Sequence, residues 1–431
     1  MDMLNLNEHK KERAIIVGII HAAQGRYLVD EYLDELEQLL DTAGAVVVNR
    51  VVQERKAFDP AYLIGRGLAD HLGEMVKDYH ADMIVFDDDL TPAQARKLEE
   101  RCNTKIMDRS GIILDIFSRR AKTREAKTQV ELAQLKYYLP RLTKMWTHLS
   151  RQAGGAGIGL RGPGEKQLEV DRRLVRRRIT KLSQELEKIA QQREIRRRRR
   201  RDWYNVALMG YTNVGKSTLM NALTSSDIYV ENRLFATLDS TVRQLAHPGK
   251  EKIVLIDTVG FVRKLPHHLV ASFKSTLEET KDADLLLHIV DCSHPYFRDQ
   301  MQVIQKVMKD LKIDDRPVIT VFNKIDLIED KNRLKELKQE FEPCFLVSAS
   351  RYIFTEELKQ EIVRYAKNQS INAHVRIQLS NQKLLASVYQ WAKVINKNYQ
   401  DGFVHLEIRF PAVNKRNYLQ LVEEGAEVIS S

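Results

Sequence analysis

The sequence predicts a multidomain α/β protein with four parts. These are an N-terminal α/β domain at residues 1–120, a long antiparallel helical hairpin at 121–201, a larger α/β domain at 202–368 and a small α+β domain at 369–431. Three observations predict this arrangement. The chain has 431 residues, more than one hydrophobic core sustains. Short apolar runs alternate with helical periodicity in two separate stretches, the pattern of parallel sheets covered by helices. Between those stretches apolar residues return every seven positions through a segment loaded with arginine.

In the first stretch RAIIVGII (13–20) and AVVVNRVV (45–52) read as buried strands around a helical DEYLDELEQLL. A helix RGLADHLGEMVKDYH, a strand DMIVFDDD, a helix TPAQARKLEERC and a last strand TKIMDR complete the domain. Its YLIGRGLADHL carries one Gly-x-Gly, read as a tight turn before a helix rather than a nucleotide site.

From 121 to 149 the pattern turns helical, with Leu132, Leu135, Leu139 and Leu142 on one side and a kink at Pro140. A second helix spans 165–201, where Leu168, Val175, Leu182 and Ile189 recur at sevens, with Ile179 and Leu186 four beyond their predecessors. This is an a/d seam, interrupted by Arg172 and Arg193. At 1.5 Å per residue that helix is about 55 Å long. Between the two helices, six glycines fall between Gly154 and Gly164. A loop that only turns needs about two to five residues. The excess of side-chain-free backbone suits a tip threaded into a crowded place.

Formal net charge is +10. Residues 172–201 hold fourteen Arg or Lys against Glu185, Glu187 and Glu194, a local balance of +11 that carries the whole excess. A stripe this dense points to a polyanionic partner. No run approaches the roughly 20 apolar residues of a membrane span, so stable membrane insertion is not expected. The start, MDMLNLNEHKKER, lacks the apolar stretch of a secretory signal. Cys102, Cys292 and Cys344 are scattered without metal spacing and read as thiols of a reducing cytoplasm. No second apolar interface is evident, so a monomer is expected.

The second α/β stretch carries the chemistry. In NVALMGYTNVGKST a strand runs into Gly210, Tyr211, Thr212, Asn213, Val214, Gly215, Lys216, Ser217 and Thr218, then into a helix. This is the G-x-x-x-x-G-K-[ST] phosphate loop in its proper context. Backbone N–H groups and the helix N-terminus would hold phosphates, Lys216 would neutralise β/γ charge, and Ser217 would ligate Mg²⁺. The strand KIVLIDTVG then ends in Asp257, Thr258, Val259 and Gly260. Asp257 is placed in the Mg²⁺ shell through water, and the Gly260 N–H senses the γ-phosphate.

Between these motifs lies LFATLDST, giving Phe235, Ala236, Thr237, Leu238 and Asp239 as nucleotide-side candidates. Thr237, 20 residues past Ser217, is favoured as a Mg²⁺ ligand over its competitor Thr241. Lys216, Thr237 and Gly260 are the catalytic candidates. PVITVFNKID supplies Asn323, Lys324, Ile325 and Asp326. The Asp326 carboxylate can accept two hydrogen bonds from guanine N1–H and its 2-amino group, which adenine lacks, so GTP and GDP are the expected nucleotides. FLVSAS puts Ser348, Ala349 and Ser350 near the base. Other enzymes of this class place a glutamine after the DxxG glycine; here that residue is Phe261, so hydrolysis is expected to be slow alone. Asn213 is a candidate for holding K⁺ beside the phosphates, with bracing of the loop as the alternative.

On GPGEKQLEVDRR (162–173), GYTNVGKST, LFATLD, DTVGF and NKID, the chain resembles the HflX family of translational GTPases along nearly its full length. The resemblance implies a P-loop GTPase fold for 202–368 and a large ribosomal subunit as partner, with the loop tip near the peptidyl-transferase centre. It also implies that the GTP form splits stalled 70S ribosomes, with contacts to rRNA and none to DNA. The family pattern places six residues between RQ and RGPGE, whereas AGGAGIGL here is two longer, and Lys166 stands where Thr is expected. About two extra residues add several Å of reach, which suggests a subtype that relieves ribosomes blocked by antibiotics at that centre. Arg196–Arg201 is read as an rRNA phosphate contact. A ribosome-assembly or RNA-remodelling GTPase acting on immature subunits is the rival. The C-terminal part, with DGFVHLEIRF as a strand and Trp391 in a helix's core stripe, is the least informative.

Overall fold

The computed structural model describes residues 11–21, 25–142, 167–198, 203–224, 234–235, 241–247, 252–264, 280–281, 283–313, 316–368, 370–411 and 415–430. The glycine-rich tip with Lys166, the residues Ala236 to Asp239 that include Thr237, and Arg199–Arg201 lie outside them. The chain divides into two compact units, the first running through Ile189 and the second continuing from Ala190.

In the first unit, β1 (Arg13–His21), β2 (Val46–Arg55), β3 (Met83–Phe86) and β4 (Lys105–Asp108) form a parallel sheet in the order β2-β1-β3-β4. Ala14 to Val17 of β1 and all of β3 are buried, which is why both read as unbroken apolar runs rather than alternating ones. The crossovers are α1 (Arg26–Ala43), α2 (Arg66–Asp78) and α3 (Pro92–Cys102). α3 starts where its sequence dictates: Thr91 and Gln94 form a reciprocal capping box and Pro92 fills the first turn. Gly65 sits at the N-cap of α2, as the turn reading required.

One helix is additional to the sequence expectation. α4 (Arg109–Arg120) begins immediately after β4, so the expected strand stops one residue short of Arg109. Its IILDIF core is buried on nearly all sides, which erases the amphipathic period that marks a helix. Asp108 caps α4 through the Gly111 N–H at 3.0 Å and also accepts from the Tyr137 hydroxyl at 2.7 Å and from Arg141 at 3.0 Å. Burial, with Asp108 beside it, pushes the Tyr137 phenol well above its ordinary value.

Tyr137 lies on α5 (Arg124–Tyr138), which ends in a 3₁₀ turn at Leu139–Arg141 where Pro140 forbids continuation. α6 (Gln167–Arg198) runs antiparallel to it. The Arg124–Glu185 pair at 2.6 Å, the Arg178–Glu131 pair at 2.6 Å and an Arg172 bond to the Leu142 carbonyl at 3.3 Å fix the register. Leu182 is buried at the seam and Val175, Ile179, Leu186 and Ile189 are half-buried. Thirty-two residues make α6 about 48 Å long. Arg173, Arg176, Arg177 and Lys181 are exposed on the face away from the seam.

The side chain of Arg109, 1% exposed, is held by two bonds to Asp87 at 2.7 and 2.9 Å, by Glu35 at 3.2 Å and by the Tyr32 carbonyl at 3.1 Å. Two segments from later in the chain, 232–238 and 264–274, belong to this unit. Lys264 donates to Asp87 at 2.5 Å and to Asp88 at 2.6 Å, and Phe235 meets Phe117 edge-on at 4.7 Å.

In the second unit, β5 (Tyr204–Gly210), β6 (Thr241–Gln244), β7 (Ile253–Asp257), β8 (Leu285–Asp291), β9 (Val318–Asn323) and β10 (Cys344–Leu346) form a sheet. Its order is β10-β9-β8-β5-β7-β6, parallel except for β6. β5 is therefore central, and its C-terminal end is the switch point where ligands bind in open α/β sheets. α7 (Lys216–Thr224), α8 (Phe297–Leu311), α9 (Lys331–Glu340) and α10 (Thr355–Asn368) accompany it. The C-terminal part is a β-α-β-β-α-β unit. It comprises β11 (Ser370–Gln378), α11 (Gln382–Trp391), β12 (Lys393–Gln400), β13 (Phe403–Pro411), α12 (Lys415–Glu423) and β14 (Glu427–Ser430), with antiparallel order β12-β13-β11-β14. Trp391 packs edge-on against Phe410 at 5.3 Å, a core contact as expected.

Candidate functional site

The loop from Gly210 to Lys216 leaves the buried C-terminal end of β5 and turns into α7. Three glycines are dictated by space, and a Cβ on Gly210 would stand 2.4 Å from the Ile289 carbonyl oxygen. A Cβ on Gly215, whose φ is +92°, would stand 2.3 Å from Asn323 Nδ2. A Cβ on Gly260 would stand 2.8 Å from Thr212 Cγ2 and 3.0 Å from Lys216 Nζ. Asn213 takes a left-handed φ of 62° and is exposed, a conformation that asparagine tolerates better than most residues.

Lys216 is buried and folds back on the loop, donating to the Tyr211 carbonyl at 2.7 Å and the Gly210 carbonyl at 3.2 Å. Burial pulls its ammonium down to about 8, with Asp257 opposing. Ser217 Oγ donates to Asp257 Oδ2 at 2.6 Å. Thr258 donates to the Leu208 carbonyl at 2.7 Å, which seats the DxxG segment against β5. The same segment pairs with the loop itself. Thr212 N–H donates to the Phe261 carbonyl at 2.8 Å, Phe261 N–H to the Gly210 carbonyl at 3.2 Å, and Arg263 N–H to the Tyr211 hydroxyl at 2.7 Å.

Asn323 links three segments. Its amide donates to the Val214 carbonyl at 2.8 Å, its side-chain oxygen accepts from Ala349 N–H at 3.0 Å, and Cys292 N–H reaches its carbonyl at 3.2 Å. Lys324 adopts φ +64° and pairs with Asp291 at 2.7 Å, while Asp326 is exposed in the 3₁₀ turn Ile325–Leu327. Ser348 and Ala349 are buried, and the Ser348 hydroxyl lies 3.3 Å from that of Ser350. The structure thus brings Gly210 to Ser217, Asp257 to Gly260 and Asn323 to Asp326 to one edge of the sheet. Thr218 continues α7 at its start, Thr241 opens β6, and Phe235 falls in the first unit. Asp291 and the Tyr211 hydroxyl are bracing groups that the motifs did not single out. Asp291, an acid ending the apolar strand β8 just as Asp257 ends β7, was the available signal.

Fold and site together define a P-loop GTPase. Family models match along the chain: "GTP-binding GTPase N-terminal" at residues 30–118, "GTP-binding GTPase Middle Region" at 120–200 and "50S ribosome-binding GTPase" at 205–324. A GTPase HflX of Flavobacterium psychrophilum is 51% identical over 73% of this chain and 76% of its own length. The GTPase HflX of Escherichia coli K12 is 41% identical over 94% of this chain and 95% of its own. The chain belongs to the GTPase HflX family, and it is a GTP hydrolase. Among the described residues no helix is long and apolar enough to cross a membrane.

Lys216 gives the site a pH dependence. Should Lys216 contact a triphosphate, the bound nucleotide would favour its ammonium, whereas burial in the free protein pulls that ammonium down to about 8. Binding above that pH therefore takes up a proton, and GTP affinity falls by up to about tenfold per pH unit. Calorimetric titration at pH 8.5 in two buffers of different ionisation enthalpy will read net proton uptake; identical heats would contradict this.

Proposed function

We propose that this GTPase acts on ribosomes: its GTP form binds the large subunit and separates 70S particles. The observation that carries the reading is the solvent face of α6, where Arg173, Arg176, Arg177 and Lys181 lie in a row on a helix pinned to α5 by two ion pairs. Phosphate backbones are the natural counterpart of such a row. The family model over the nucleotide domain, described as a ribosome-binding GTPase, supports the same partner.

In this reading Lys216 contacts the β- and γ-phosphates, and the Gly260 N–H meets the γ-phosphate. Ser217 and Thr237 would ligate Mg²⁺, with Asp257 in its shell through water. Ser217 Oγ, hydrogen-bonded to Asp257 Oδ2 at 2.6 Å, is the kind of hard oxygen donor this ion takes, and the ion would neutralise phosphate charge. The Asp326 carboxylate reads guanine, backed by Asn323, Ser348 and Ala349. K⁺ at Asn213 and relief of drug-blocked ribosomes by the longer glycine loop are the finer elements of the proposal. The four-part division at 120, 201 and 368 describes its working parts.

Replacing Arg176, Arg177 and Lys181 by Glu together will weaken large-subunit binding. Each lost phosphate contact will flatten the slope of log K against log salt by about 0.7–0.9. Hydrolysis without ribosomes will not change. Sedimentation binding across a salt series checks this, and an unchanged affinity and slope would remove the basic face from the account.

A further inference from the structure

The phosphate loop contains one hydroxyl that nothing among the described residues satisfies. Thr212 is 5% exposed, and its enclosed Oγ1 has no hydrogen-bond partner among the described residues. Leaving such a group dry costs stability. Around it the polar side chains are engaged: Ser217 with Asp257, Thr258 with Leu208, Lys216 with Tyr211 and Asn323 with Val214. Buried orphans of this kind ask for an explanation.

Its position supplies one. The point where a Gly260 Cβ would sit lies 2.8 Å from Thr212 Cγ2, 2.9 Å from Thr212 Cα and 3.0 Å from Lys216 Nζ. Thr212, Gly260 and the Lys216 ammonium are thus packed against one another, beside the place where a γ-phosphate contacted by Lys216 and Gly260 would lie. The residue that could carry a water-orienting amide is Phe261, 2% exposed and tied through its backbone to Gly210 and Thr212. A hydrocarbon ring orients no water. The position after the DxxG glycine thus carries no polar side chain, while the phosphate loop packed against Gly260 holds an unspent hydroxyl.

We propose that Thr212 is a catalytic residue of this GTPase, its hydroxyl donating to a γ-phosphate oxygen while accepting a hydrogen bond from the attacking water. A hydroxyl has one donor and two acceptor positions, so both contacts are available at once. The water oxygen bonds to the γ-phosphorus as the bond to the β-phosphate oxygen breaks. GDP leaves with that electron pair, the water proton passes to the released phosphate, and Thr212 ends unchanged.

The test is Thr212→Val against Thr212→Ser in the full chain, reading single-turnover GTP hydrolysis, GDP affinity and the melting temperature of the nucleotide-free protein. Val keeps the volume and loses the hydroxyl; Ser keeps the hydroxyl. Thr212→Val is expected to hydrolyse about 100-fold more slowly, in the range of a lost transition-state hydrogen bond. Its GDP affinity should stay within about twofold of the parent, and its melting temperature should hold or rise because an unsatisfied hydroxyl has gone. Thr212→Ser should keep most of the rate. Hydrolysis by Thr212→Val at the parent rate would overturn the proposal. So would an equal loss in both variants, or loss of GDP binding in either, since the residue would then only shape the loop.

Discussion

Asp326→Asn will lower affinity for GTP and GDP by at least about 100-fold and raise affinity for the xanthine nucleotides. A site built to hydrogen-bond a substrate group rejects an analogue that leaves its polar groups unmatched. The carboxylate offers two acceptors to the two N–H donors of guanine, a charge-assisted pair. An amide offers one acceptor and one donor, and that donor meets the guanine 2-amino group head-on. Xanthine carries a carbonyl oxygen there and accepts what asparagine donates. Asp326 is exposed in its 3₁₀ turn, and Asn323 braces the surrounding loops independently, so the exchange leaves the fold intact. Fluorescent-nucleotide titrations with guanine and xanthine diphosphates will read the crossover. Equal guanine affinity in the variant would mean that Asp326 does not face the base.

Arg109→Met will destabilise the N-terminal unit by about 3–5 kcal/mol, because it removes one partner from a buried charge network and strands the other. Asp87 is 2% exposed and depends on Arg109 and Lys264 for compensation. Burial alone would raise the Asp87 carboxyl, but those two cations outweigh it and hold it below the ordinary carboxylate value. The sign of the pH effect follows. With the folded value depressed, the contribution is complete above about pH 4 and is lost as pH falls through the lower folded value. Scanning calorimetry at pH 7 should show the transition of this unit lowered by on the order of 10 °C. At pH 3 the variant and its parent should differ by less. Pairing Arg109→Met with Asp87→Asn should cost little more than the single change, since the stranded charge is removed with its partner. A transition unmoved at pH 7 would mean that the network contributes nothing.

The nucleotide site was legible because its geometry is local. Gly210 to Ser217 lie within one turn, and each further motif ends an apolar strand of one parallel sheet, so spacing alone brings them to one edge. The hairpin was legible for a similar reason, its seam following a fixed period. The Arg109 network was not, because Asp87 and Glu35 meet Arg109, and Lys264 meets Asp87, only through tertiary packing across 229 residues of chain, from Glu35 to Lys264. α4 hid behind burial on nearly all sides of its IILDIF core. β12, mostly exposed along KVINKNYQ, has no alternation to betray a strand. The orphan hydroxyl of Thr212 is a property of enclosure, which residue order does not encode.

The claim on which the account rests is that nucleotide state gates action on assembled ribosomes. Purified 70S particles incubated at moderate salt with the protein and a non-hydrolysable GTP analogue, then sedimented on a gradient, test it directly. The account predicts free subunits with the protein on the large one, and intact particles in the GDP control. Particles that stay whole with the analogue while the protein binds only immature subunits, or binds neither, would contradict it.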